Sequence, residues 1–167
     1  MAYSLNKLVV KKDEDGNLIH KFSNPNFFSK LDRIHQDFLN DSYKFAYGMS
    51  FTDDGYHRKN RSGGSEQRKK VQIFSDTFLG KLGEFAIYPY FQNNGLDLLY
   101  PHISIMGIGD RDDHDFEYKG RRIGVKTTKS IGQLLLLETK DWNSDGHYIP
   151  NLEKGHYQYD DFLFVRI

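Results

Sequence analysis

Asp115 and Lys126 bound a run, Asp115-Phe-Glu-Tyr-Lys-Gly-Arg-Arg-Ile-Gly-Val-Lys126-Thr-Thr, whose residue types could hydrolyse a phosphodiester. The run reads as a β-hairpin. With Lys119-Gly120 as a two-residue turn, Tyr118 faces Arg121, Phe116 faces Ile123 and Asp115 faces Gly124. Side chains alternate along a strand, so Phe116, Ile123 and Val125 share an apolar face while Asp115, Glu117, Gly124 and Lys126 share a polar one. A three-residue turn would oppose Asp115 to Val125 and mix the faces, which favours the even register. Directly opposed residues hold their Cβ atoms roughly 4.5–5.5 Å apart. An acid at 124 beside Asp115 would therefore share one divalent cation with it, and hard oxygen ligands suit Mg²⁺, with Mn²⁺ as a substitute. The metal would lower the pKa of its bound water and clamp the phosphate. Lys126 would orient that water or stabilise the charge that develops. Position 124, however, is glycine.

The elements that would position these groups follow from hydrophobic period and breakers. Leu5 to Val10 predicts a short strand, closed by the turn-like Asp13-Glu-Asp-Gly16-Asn. Asn24-Pro25 can cap and open a helix whose stripe is Leu31, Ile34, Phe38 and Leu39, fading past Tyr43. Residues 50 to 70 hold Gly55, Gly63 and Gly64 with the cations Arg58, Lys59, Arg61, Arg68, Lys69 and Lys70, an exposed basic loop running into a second helix. That helix carries Ile73, Phe74, Phe78, Leu82 and Phe85, is kinked or ended by Pro89, and is stopped by Asn93-Asn-Gly95. Strand signals follow at Ile103 to Ile108, Asp115 to Tyr118, Arg122 to Thr128, Leu134 to Glu138 and Phe162 to Ile167. Helices first and strands later indicate an α/β (α+β) domain, a mixed but mostly antiparallel sheet flanked by helices.

The chain's 167 residues suffice for one domain with a real core, taken as 1–167, with a helical and basic-loop part over 1–65 and a core carrying the hairpin over 66–167. Cations and anions balance at 23 each, so net charge announces no polyanion partner. The absence of cysteine removes disulfides, thiolate zinc sites and thiol nucleophiles, and fits a cytoplasmic location. No apolar run approaches a membrane span. The sequence stops inside the apolar run Phe162-Leu-Phe-Val-Arg-Ile167, which suggests a truncated product or fragment.

Asp115 and Lys126, following a helix with Gly80-Lys-Leu-Gly83-Glu84, resemble the PD-(D/E)-x-K nuclease superfamily, and within it restriction endonucleases, over roughly residues 70 to 167. The resemblance implies a restriction-endonuclease-like core and Mg²⁺-dependent cleavage of double-stranded DNA. Asp115 matches the first metal-binding acid, Lys126 the lysine that assists attack, and Glu84 the helix glutamate of many members. Thr127-Thr128-Lys129 also follows the family's habit. Cutting both strands implies a homodimer. Gly124 occupies the second acid position and does not match. It reads as an engineered inactive variant or a natural pseudo-enzyme. Two further explanations stay open: an acid that has migrated to Glu117 or Glu138, or a different register in which Asp112 or Asp113 contributes. As given, the chain is expected to cut weakly or not at all. A catalytically silent DNA-binding or assembly protein, and a repair or junction-resolving nuclease, are the alternatives.

The remaining constellations carry less. Helix-interior Gly80 and Gly83 each cost about 1 kcal/mol relative to alanine, so a backbone or DNA is expected to approach there. Asp110-Arg-Asp112-Asp113-His114-Asp115 fails the EF-hand template, because Arg121 stands at the twelfth position. Gly107-Ile-Gly109 has Asp112 where a dinucleotide fingerprint needs its third glycine. The seven histidines show no zinc-protease spacing, and no nucleophile elbow supports a serine hydrolase. The basic loop and Lys129 are the candidate phosphate contacts, with Arg121, Arg122 and Lys140 extending the rim.

Overall fold

A computed structural model describes residues 8–22, 27–55, 67–107, 114–130, 132, 139–149, 152, 155 and 158–167. The chain opens with a hairpin of β1 (Leu8–Lys12) and β2 (Leu18–Phe22), paired antiparallel from Leu8 with Phe22 to Lys12 with Leu18. Its turn is the expected one. The Asp13 carboxylate accepts the N–H groups of Asp15 and Asn17 at 3.0 and 2.7 Å, and Gly16 takes a φ of +84°. Hydrogen bonds from Asn17, its side chain foremost, hold the Asp13 carboxyl below the usual carboxylate range. Of the strand expected over Leu5 to Val10, residues 8–10 fall in β1 and residues 5–7 lie outside the described ones; a strand pair therefore precedes the helices.

Helix α1 spans Gln36–Phe51, not a stretch opened at Asn24-Pro25; those two residues lie outside the described ones, and residues 27–35 are not helical. His35 sets the start: its Nδ1 accepts the Asp37 N–H at 3.4 Å, and Asp37 places a negative charge in the first turn. Leu31 packs on the core ahead of the helix. Past Tyr43 the helix persists because Phe45, Ala46 and Met49 bury one face, with Ser42 fully enclosed and donating to the Phe38 carbonyl at 2.7 Å.

Helix α2 spans Lys70–Asn93. At its start, the Gln72 side chain accepts the Lys69 N–H at 2.7 Å. Pro89 neither ends it nor prevents another turn, because buried Phe85 and Ile87 before it and Phe91 after it pack on both sides. The stop is where the glycine signal put it. Gly95 has φ +75° and donates to Gln92, while Leu96 donates to Phe91, both at 3.0 Å, which closes a Schellman motif. Phe38 of α1 stacks on Phe85 of α2 with centroids 4.9 Å apart.

Strands β3 (Phe116–Tyr118), β4 (Arg121–Thr128) and β5 (Asp161–Arg166) form a sheet in that order. The first pair is antiparallel and the second parallel, so this sheet is mixed and not mostly antiparallel. Parallel pairing needs a long return path, which residues 129–160 supply. The register of β5 is pinned at its start. Arg121 grips Asp161 with two bonds of 2.9 Å, and the Asp160 carboxylate accepts the Arg122 N–H at 2.8 Å. The hydrogen bond from Arg121 holds the Asp161 carboxyl below its ordinary value. That contribution is present above the ordinary aspartate range and fades as pH falls through the lowered pKa. Both side chains are solvated, so the pair fixes register more than it stabilises. The expected strand at Ile103 to Ile108 is not formed over residues 101–107. Ile105 instead packs on Gly48, and the Met106 N–H meets Met49 Sδ at 3.2 Å. Leu134 to Glu138 lies outside the described residues.

Among the described residues the fold is thus mixed α/β, with two helices and two small sheets. The core of Ile87, Leu98, Phe116, Ile123, Val125 and Val165 sits between α2 and the three-stranded sheet. Among the described residues no helix is long and apolar enough to cross a membrane. Close approach of α2 to β4 rests on Gly83, where an added Cβ would lie 1.8 Å from Thr127 Oγ1. Gly80 has nothing within 4 Å of an added Cβ. Opposite effects are therefore expected from one substitution at two sites. Gly80→Ala should stabilise by about 0.5–1 kcal/mol through helix propensity. Gly83→Ala should destabilise by about 1–3 kcal/mol, because overpacking outweighs the same propensity gain. Urea denaturation of the two variants measures both signs.

Candidate functional site

The β3–β4 hairpin has the even register that its sequence predicts. Phe116 pairs with Ile123, Glu117 with Arg122 and Tyr118 with Arg121. Lys119 and Gly120 take φ values of +49° and +77°, the backbone of a mirror-image two-residue turn. Phe116, Ile123 and Val125 are buried toward α2, so Gly124 and Lys126 look out from the opposite face of β4.

Asp115, at the entry to β3, does not hang over Gly124. Its carboxylate accepts the Val125 N–H at 2.6 Å and so lies along the plane of the sheet, where it continues the ladder beyond the last strand pair. Its own N–H donates to Ile123 at 3.1 Å. Gly124 is covered by rings: a Cβ there would stand 2.8 Å from Phe162 Cε1 and 3.1 Å from Tyr159 Cδ1. This gives the strand-interior glycine a physical cause, since another part of the chain occupies the space of a side chain. The Lys126 ammonium lies 5.9 Å from the Tyr159 centroid and 5.7 Å from that of Phe162. Among the described residues it forms no ion pair.

Glu84 was expected beside this pair, and the structure places it elsewhere. It is buried on α2 and bonded to Lys81 Nζ at 2.7 Å, with that ammonium 4.6 Å from the Phe45 ring of α1. Helix α2 meets β4 through Gly83 and Thr127, on the face away from Lys126. The sheet therefore separates Glu84 from Lys126. Burying two charges is tolerable because each satisfies the other at close range.

Among the described residues, Asp115, Gly124 and Glu84 do not converge as ligands for Mg²⁺ or Mn²⁺. A divalent cation of this type needs several oxygens around one point. Gly124 supplies none, the Asp115 carboxylate is bound to backbone, and Glu84 faces another layer. Among the described residues no group of three or more His, Asp or Glu side chains could hold a metal. Glu117 is exposed and stands 3.6 Å from His114 Nε2; Asp112, Asp113 and Glu138 lie outside the described residues.

Of the expected phosphate contacts, Arg58, Lys59 and Arg61 also lie outside the described residues. Arg68 is turned inward, with a side chain 14% exposed and bonded to Asp76 at 3.2 Å. Lys69 and Lys70 are exposed where α2 begins, and Lys129 is exposed just past β4.

Four rings outside the expected site residues also meet here. Trp142, Tyr148, Tyr159 and Phe162 cluster at this face, with Tyr159 stacked on Phe162 at 5.0 Å and Trp142 edge-on to Phe162 at 6.0 Å. Trp142 and Tyr148 form a single antiparallel bridge, and their rings stand 5.3 Å apart. Between them the Asn143 side chain accepts the N–H groups of Asp145 and His147 at 3.0 and 2.9 Å, and Gly146 takes φ +76°. The turn residues Asn143-Ser-Asp-Gly146 between two aromatics were the available signal. Comparison with protein families, curated proteins and solved structures found no match to this chain.

Two measurements test these placements. Asp115→Ala should destabilise by about 1–3 kcal/mol, because it strands the Val125 N–H, whereas Asp115→Asn keeps an acceptor oxygen and should cost less. Equal losses in thermal melts would mean the carboxylate's charge, not its hydrogen bond, matters. Glu84→Ala should cost about 3–5 kcal/mol by leaving Lys81 buried and unpaired. Adding Lys81→Met to it should restore much of that loss in denaturant titrations.

Proposed function

We propose that the chain is a DNA-binding protein built on a restriction-endonuclease-like hairpin, with a phosphodiesterase site that is silent as the chain stands. The observation that carries the reading is Lys126. Its ammonium sits on the Gly124 face of the hairpin, against two rings and with no carboxylate partner among the described residues. A cation held this way is available to a phosphate oxygen. Exposed Lys129, on the same strand end, extends the charge. The order of helix, hairpin and returning strand supports the family likeness. Silence is read from the described donors: no group of three or more His, Asp or Glu side chains among the described residues could hold a metal beside Lys126, so no hydrolytic step is assigned.

Labelled duplex DNA in an anisotropy titration tests the binding. Affinity should fall steeply from low to physiological salt, as counterion release requires. Plasmid incubated with Mg²⁺ should stay supercoiled. Gly124→Asp alone would collide with Phe162, so the informative variant is Gly124→Asp with Phe162→Ala. It too should leave plasmid intact. Cleavage by that double variant would make the chain a disabled nuclease, and no binding to duplex at low salt would overturn the reading altogether.

A further inference from the structure

We infer that Lys126, Tyr159, Phe162 and Trp142 form a subsite for an unpaired nucleotide, its base against the rings and its phosphate on the ammonium. The inference rests on the DNA-binding reading and adds the state of the DNA at this face. Tyr159 and Phe162 are stacked, with planes 30° apart, and both are half-buried rather than enclosed. Trp142 meets Phe162 edge-on and Tyr159 at 6.1 Å, and is likewise half-buried. A cluster built only to fill space would be expected to shut out water and to exclude a charge. Here an ammonium stands within 6 Å of two of the ring centroids, without a counterion among the described residues.

The combination selects its ligand by chemistry. Ring faces take a planar base without regard to its identity, and a lysine takes the adjoining phosphate as a point charge. A base inside a duplex is already stacked on both sides, so only an unpaired one can use the rings. Gly124 is the structural condition. With any side chain at 124, the ring of Phe162 could not lie against β4 beneath the ammonium. The Asn143 turn holds Trp142 at the edge of the same cluster.

Trp142 is the only tryptophan of the chain, so its emission reports this site and no other. The full chain is titrated with three end-labelled probes of equal length: a duplex, the same duplex with one unpaired central base, and a single strand. Label anisotropy reads all binding, and Trp142 emission reads the subsite. The single strand and the interrupted duplex should bind roughly 5- to 150-fold tighter than the plain duplex, the range that base–aromatic stacking contributes, and should quench Trp142. Tyr159→Leu should erase the preference and the quench while plain-duplex affinity stays. If that variant fails to give a cooperative melt, Trp142→Leu replaces it, and label anisotropy should show the preference reduced. Binding to all three probes with equal affinity and unchanged emission would overturn the subsite and leave DNA binding standing. Binding to none of them would remove both.

Discussion

The two left-handed residues of the Lys119-Gly120 turn decide which side of β4 every side chain occupies. A lysine in that backbone region is unfavourable by itself, yet the mirror-image turn matches the twist of the strands it joins. A slip of one residue would turn Ile123 and Val125 out to water and force Lys126 into the core without a partner. The turn and the apolar pattern therefore enforce the same register, and the two layers that cover the sheet follow from it. On one face α2 comes close because Gly83 has no side chain to meet Thr127. On the other, Phe162 and Tyr159 come close because Gly124 has none. Each glycine is matched to what lies over it.

What could be read from the letters was local. The hairpin was legible because a two-residue turn and a period of two lie within a dozen or so positions. The end of α2 was legible because Gly95 is the residue that a left-handed cap requires. The start of α1 was not, since Leu31 and Ile34 have the same spacing whether helical or packed from an irregular segment. The direction of β5 depends on the path of residues 129–160, which no local pattern encodes. Ile103 and Ile105 have strand propensity, but β-structure needs a partner edge, and Ile105 finds a helix at Gly48 instead.

Glu84 illustrates the limit of a matched motif. Sequence spacing put a glutamate on the right helix without saying which way it points. Turned toward α1, it meets Lys81 from one turn earlier, and the pair is shielded by Phe45. Such a pair is costly to assemble and costlier to break, which is reason enough for both residues. The same letters thus serve helix packing. The spacing that suggests a nuclease helix is therefore not accompanied by a carboxylate that reaches the hairpin.

The electrostatic character of the Gly124 face points the same way. Holding a divalent cation takes converging carboxylates, whose negative field offsets the loss of the ion's water. This face offers an ammonium and ring surfaces instead, and the ammonium would repel a second cation. The Asp115 carboxylate already has a backbone N–H at 2.6 Å, so moving it toward 124 would expose a broken ladder bond. An ammonium beside half-exposed rings is, by the sign of its charge, a poor setting for a metal ion and, on the proposed reading, a suitable one for a nucleic-acid strand. Hydrolysis would need that sign reversed locally, and a single acid at 124 would have to displace Phe162 to begin to do so.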